Sequence, residues 1–225
     1  MVPTTALITS VKKRSYADAE VRCCMAIVDT PGTHHEQLRF VLDAAGARYA
    51  TIAVGLILGL PILTFLSGNS TALFYVHVSL GAFWFGLDFF FRYVMAPAFE
   101  KAGPETAVSI IPHLTPKIMV IGESLTLGTI GSGIGLASLL GYWANPSIYL
   151  WGALVLAGVM IAIAFGPLHS LQTAMLVELA SPEPDGSRVS KLNGQALRWL
   201  LGMTGLMLVI IAMMTGFRGF LPPVL

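Results

Sequence analysis

Five long stretches of the chain are almost wholly apolar, and connections richer in Pro, Gly, Ser and charge separate them. They run at about 49–67, 72–97, 117–141, 148–170 and 195–216. A helix needs about 20 apolar residues to cross roughly 30 Å of hydrocarbon, and each stretch meets that length. The pattern predicts an all-α integral membrane bundle of about five transmembrane helices. Pro61 and Pro167 fall inside these stretches, where neighbouring helices satisfy the backbone groups that a proline frees. Residues 171–180 keep a helical composition until Ser181-Pro182, and 181–190 reads as a loop. Ahead of the first span, Thr33-His34-His35-Glu36 reads as a capping box that opens a helix through Phe40. Arg39, Asp43 and Arg48 hold that helix at the membrane surface. The predicted organisation is a segment 1–48 leading into the membrane, a five-helix domain over 49–216 and a short tail over 217–225.

Charge sharpens the picture. Only 11% of the 225 residues are charged and 55% are hydrophobic, against about 25% charged in a soluble domain. Lipid therefore has to cover most of the surface. Loops 68–71 and 142–147 carry no charge, and Arg218 is the lone basic residue beyond 216. The other 12 of the 13 basic residues lie on the N-terminal segment, on 98–116, on 171–194 or at helix ends facing them. The positive-inside rule then predicts a plasma-membrane protein with its N-terminus in the cytoplasm and its C-terminus outside. A net charge of +1 gives no footprint for nucleic acid. The adjacent Cys23 and Cys24 do not staple a fold, and Met1–Ser10 lacks the pattern of a cleavable signal peptide.

Gly128, Gly131, Gly133 and Gly135 crowd the third span. Small residues let helices approach closely in lipid, so this face is read as tight packing, with a groove for a cofactor as the alternative. The ten methionines are scattered and read as core filler.

Ionisable side chains inside a spanning helix cost several kcal/mol and are functional candidates. At about 100° per residue, His77, Gly81, Trp84, Asp88 and Met95 form one stripe on the second span, with Arg92 beside it. A polar stripe has to face the bundle interior. Asp88 and Arg92 are spaced to pair directly, and Arg92 pairing with Glu123 is the alternative. Asp88 and Glu123 are the candidates for proton or ion coupling. His113 and His169 are expected at one membrane face, where they meet and line a polar pocket with Arg92, Lys117 and Glu123. His77 is expected roughly 20 Å or more from both along the membrane normal. One metal ion needs its ligands at about 2 Å, so His77 cannot share an iron with them. His34 and His35 are expected to be solvated.

The run His77, Trp84-Phe85-Gly86-Leu87, Phe89-Phe90-Phe91-Arg92-Tyr93 and Pro97 resembles a helix of the copper-resistance D-type membrane proteins. It is also similar to protoporphyrinogen oxidases of the HemJ type. The resemblance covers about 25 residues. It implies that His77 is a haem or metal ligand, within the aromatic setting of Trp84, and that Arg92 is the basic position. The cofactor it implies is haem b, with copper or none as alternatives, and His113 and His169 join the candidate cofactor residues. This chain departs from the pattern in having a spanning helix before the motif and no second histidine at the depth of His77.

Three functions stay open: a redox-linked membrane protein that binds b-type haem, a transporter for a metal ion or small solute, and an accessory subunit of a larger respiratory-type complex. The partners implied are the bilayer and either partner subunits or further copies of the chain. No CxxCH, P-loop, Rossmann glycine pattern or HExxH occurs.

Overall fold

The computed structural model describes residues 33–181 and 183–217. The expectations for 1–32, Cys23 and Cys24 included, and for the tail from 218 lie outside them. Among the described residues there is no strand, and the fold is an all-α bundle. Five helices are long and apolar enough to cross a membrane: Ala47–Leu66, Ser70–Ala102, Ser109–Leu139, Ile148–Ala180 and Gly186–Gly216.

Helix α1 (His34–Ala45) opens on the expected capping box. The Thr33 hydroxyl accepts from the Glu36 N–H at 3.3 Å, and the Glu36 carboxylate accepts from the Thr33 N–H at 3.0 Å. Phe40, Val41 and Ala45 form its buried face, at the spacing of one side of a helix. The chain then breaks at Gly46, whose φ of 89° suits a residue without a Cβ. Helix α2 (Ala47–Leu66) follows at once.

Helix α3 (Ser70–Phe90) is capped by the Asn69 side chain, which accepts from the Ala72 N–H at 3.0 Å. It passes through a π turn at Phe91–Met95 into α4 (Ala96–Ala102). Helix α5 (Pro104–Leu139) has 36 residues, about 54 Å at 1.5 Å per residue, so it reaches well beyond the hydrocarbon. Helix α6 (Ile148–Ile163) joins α7 (His169–Ala180) through a second π turn, Ala164–Leu168, and α8 (Gly186–Phe217) completes the bundle.

The spans differ from the sequence expectation mainly at their ends. Helix α5 starts at Pro104 and α8 at Gly186, not at 117 and 195. Hydropathy marks the depth of lipid, whereas helix ends are set by capping. Gly103, with φ 87°, stands before α5. Before α8, the Asp185 carboxylate accepts from the backbone of Ser187 and Arg188.

Two cores hold the helices together. One gathers Trp84, Leu125, Met160, Ala164, Met203 and Met207, so three of the methionines are core filler around one tryptophan. The other seats Phe40 and Val41 of α1 on Met119, Val120 and Leu176. Leu56, Leu63, Phe83, Val155 and Leu208 stay exposed, as expected where lipid is the solvent of a multi-pass membrane protein. The glycines of α5 divide. A Cβ on Gly128 would lie 2.8 Å from the Ile57 carbonyl oxygen of α2, and one on Gly133 would lie 2.9 Å from the His77 ring, whereas Gly131 faces open space.

Candidate functional site

The stripe on α3 turns into the bundle. Trp84 and Asp88 are 8% and 9% exposed, and Phe83, Phe90 and Val94 on the other side are exposed. Asp88 accepts a hydrogen bond from the Thr204 hydroxyl of α8, a partner that sequence reasoning had not named. A hydroxyl among apolar neighbours on α8 was the available signal. The expected Asp88–Arg92 ion pair is not formed. Arg92 lies at the start of the π turn. Its guanidinium instead donates to the Leu197 carbonyl of α8 at 3.0 Å.

Glu123 binds His169, not Arg92: the His169 Nδ1 lies 2.5 Å from the Glu123 carboxylate. The second π turn explains the geometry. The buried face of α6 runs through Ala153, Ala157, Met160 and Ala164. A straight helix would continue it through Leu168 and Leu171. Pro167 has no N–H to donate, and Gly166 leaves helical geometry at φ −95° and ψ −105°. The wider turn brings His169, five residues after Ala164, onto the buried face beside Leu168, followed by Thr173 and Leu176. His169 and Thr173 are each 2% exposed.

The expected meeting of His113 and His169 does not occur. His113 is exposed and ten residues before Glu123 on α5, about 15 Å along that helix. Lys117 is exposed too, with its Nζ 5.6 Å from the centre of the Tyr49 ring. The polar pocket of Arg92, His113, Lys117, Glu123 and His169 is thus dispersed. His77 contacts α5 at Thr129 and Ser132, six and nine residues beyond Glu123. That is about 9–14 Å of helix, less than the 20 Å expected from His169 because α7 carries His169 inside the bundle, whereas His113, 16 residues before Thr129 on α5, keeps about 24 Å. The distance still bars a shared metal ion.

The His77 Nδ1 lies 3.0 Å from the Thr129 carbonyl oxygen and 3.0 Å from the Ser132 hydroxyl. That hydroxyl already donates to the same carbonyl at 2.8 Å. The carbonyl can only accept, so the ring proton sits on Nδ1 and the lone pair on Nε2. This arrangement fits a single histidine that would hold a haem iron, since ligating histidines characteristically tie the other nitrogen to a carbonyl or carboxylate. It does not fit ligation by two histidines, because His113 is exposed and His169 is held by Glu123. Among the described residues no group of three or more His, Cys, Asp or Glu could hold a metal ion. An open cleft of about 630 Å³ is lined by Pro167, Ser170, Leu171, Gln195, Arg198 and Trp199, and it includes none of these acids or histidines.

No protein-family model, no curated protein and no solved structure matches the chain.

Proposed function

We propose that this is a proton-coupled multi-pass membrane protein whose working element is the Glu123–His169 pair. The observation that carries the reading is a carboxylate joined at 2.5 Å to an imidazole that is 2% exposed, inside two apolar spans. Such a pair is expensive to bury in a bilayer. It also joins the two side-chain types suited to exchanging a proton at neutral pH. Asp88 with Thr204 supplies a second buried acid facing the same interior. The coupled process is transport of a small solute or electron transfer to a membrane partner. The test is the carboxyl infrared band of Glu123 in nanodiscs, expected to respond to pH between about 5 and 8 in the native protein and to be absent in Glu123→Gln. A native protein with no such band would sink the proposal.

A redox version of the same reading has its own support. His77 presents an Nε2 lone pair beside Gly133 and ties its Nδ1 proton to Thr129. His77 would hold haem b by one bond, and the haem would supply one-electron chemistry. The protein's own part is to fix the ring through Thr129, Ser132 and the missing side chain at Gly133. An absorption spectrum with haem supplied during expression decides it: a Soret band lost in His77→Ala supports the version, and no band removes it. The basic residues near 98–116 and 171–194 support a plasma-membrane location with the α1 end in the cytoplasm.

A further inference from the structure

Beneath α1 lies a polar layer that the Glu123–His169 pair does not exhaust. The His169 Nε2, the Thr173 hydroxyl and the Gln37 side-chain oxygen are all buried without a hydrogen-bond partner among the described residues. A buried polar atom left unpaired costs about 1–3 kcal/mol, so three on adjoining helices point to polar occupants between them. Gln37 is three residues beyond His34 on α1, and Thr173 is four beyond His169 on α7, so each lies one turn from its histidine. The two histidine rings lie 6.4 Å apart, centre to centre, within reach of one bridging water. His34 itself is exposed. Further along the same two helices the layer is closed by apolar packing: Phe40 and Val41 sit on Met119, Val120 and Leu176. That seal blocks the bundle axis, and His34, at the start of α1, is the exposed ring next to His169.

We propose that His34 is the port through which protons from solvent reach Glu123, in a route that rests on the proton-coupled reading above. Solvent protonates the His34 imidazole. His34 passes one proton, through water held by Thr173 and Gln37, to the His169 Nε2. His169 releases its Nδ1 proton to the Glu123 carboxylate across their hydrogen bond. One proton has moved from solvent to Glu123, His34 is neutral again, and the ring of His169 is left with its proton on Nε2. The reverse transfer through the same atoms restores it. The other titratable or charged groups of α1 near this port, His35, Glu36 and Arg39, are exposed, and α7 carries no charged residue between His169 and Val177. On α5 the facing acid is Glu123.

The experiment is a pH jump followed by time-resolved infrared spectroscopy on the full chain in nanodiscs. The carboxylic C=O band of Glu123 is assigned by its loss in Glu123→Gln. His34→Ala is expected to reach the native band amplitude at least ten-fold more slowly, and added imidazole is expected to restore the rate. Thr173→Val is expected to slow the band without rescue by imidazole. The native rate in His34→Ala overturns the port while leaving the proton-coupled reading intact. The absence of any Glu123 band in the native protein overturns both.

Discussion

Glu123 and His169 are 46 positions apart in the sequence and 2.5 Å apart in the bundle. The bond ties α5 to α7 at the depth where the second π turn ends. Removing one partner leaves the other buried and unpaired, which typically costs about 3–5 kcal/mol for an ion pair. Glu123→Ala and His169→Ala are each expected to fall near the lower end of that range. Glu123→Gln keeps an acceptor for the Nδ1 proton and is expected to cost about 1 kcal/mol. The double variant should cost less than the sum of the single ones. Reversible unfolding in mixed micelles measures all four, and strict additivity would contradict the pair.

Close approach at the glycines of α5 is tested one position at a time. Gly128→Ala sets a Cβ 2.8 Å from the Ile57 backbone oxygen, which cannot move without shifting α2. A loss of about 1–3 kcal/mol is expected, the usual cost of overpacking. Gly133→Ala drives the His77 ring off Thr129 and Ser132, a displacement that the His77 NMR shifts should report. Gly131→Ala meets nothing within 4 Å and is expected to be neutral or slightly stabilising.

Thr204→Val removes the hydroxyl that binds Asp88 while keeping the shape of the side chain. Hydrogen bonds between spanning helices average about 0.6 kcal/mol and reach about 1.7. The bond to a buried acid is expected at the upper end. Thr204→Ser should recover most of the loss in the same unfolding assay.

Acid should fray the start of α8 at a defined point. The Asp185 carboxylate accepts from the Arg188 and Ser187 backbone N–H groups, and these bonds hold its pKa below the usual aspartate value. A depressed pKa means that the stabilisation is present above the unfolded value and is lost as pH falls through the folded one. Amide protection at Ser187 and Arg188 is therefore expected to hold from pH 7 down to about 4 and to disappear below that. In Asp185→Ala the protection should be weak at every pH.

What the sequence made legible follows from how each signal is encoded. The spans, the capping box at Thr33 and the inward stripe of Trp84 and Asp88 are local patterns with one period, and all are present in the bundle. The Glu123–His169 pair was hidden because an unbroken α-helical period carries the buried face of α6 to Leu168 rather than to His169. Gly166-Pro167 was the visible hint, but a proline marks a disturbance and not its direction. Arg92 was misread for a different reason: its partner is the Leu197 carbonyl, a backbone group that no side-chain pattern marks. Thr204, Thr173 and Gln37 gave no periodic signal, because a single hydroxyl or amide acquires meaning only from what another helix sets against it.

The π turn at Ala164–Leu168 behaves like a frameshift written into a helix. A span that crosses a bilayer tolerates the loss of one residue, because its length is in surplus. Its reading frame tolerates such a loss only inside this turn, where His169 would fall four residues after Ala164 and stay on the buried face. Straightening the turn with every residue kept would leave α6 and α7 in the membrane but rotate everything after it by about 100°. His169 and Thr173 would then leave the interior together, and Glu123 would lose its partner. The chemistry of this bundle thus depends on a count of residues as much as on their identity.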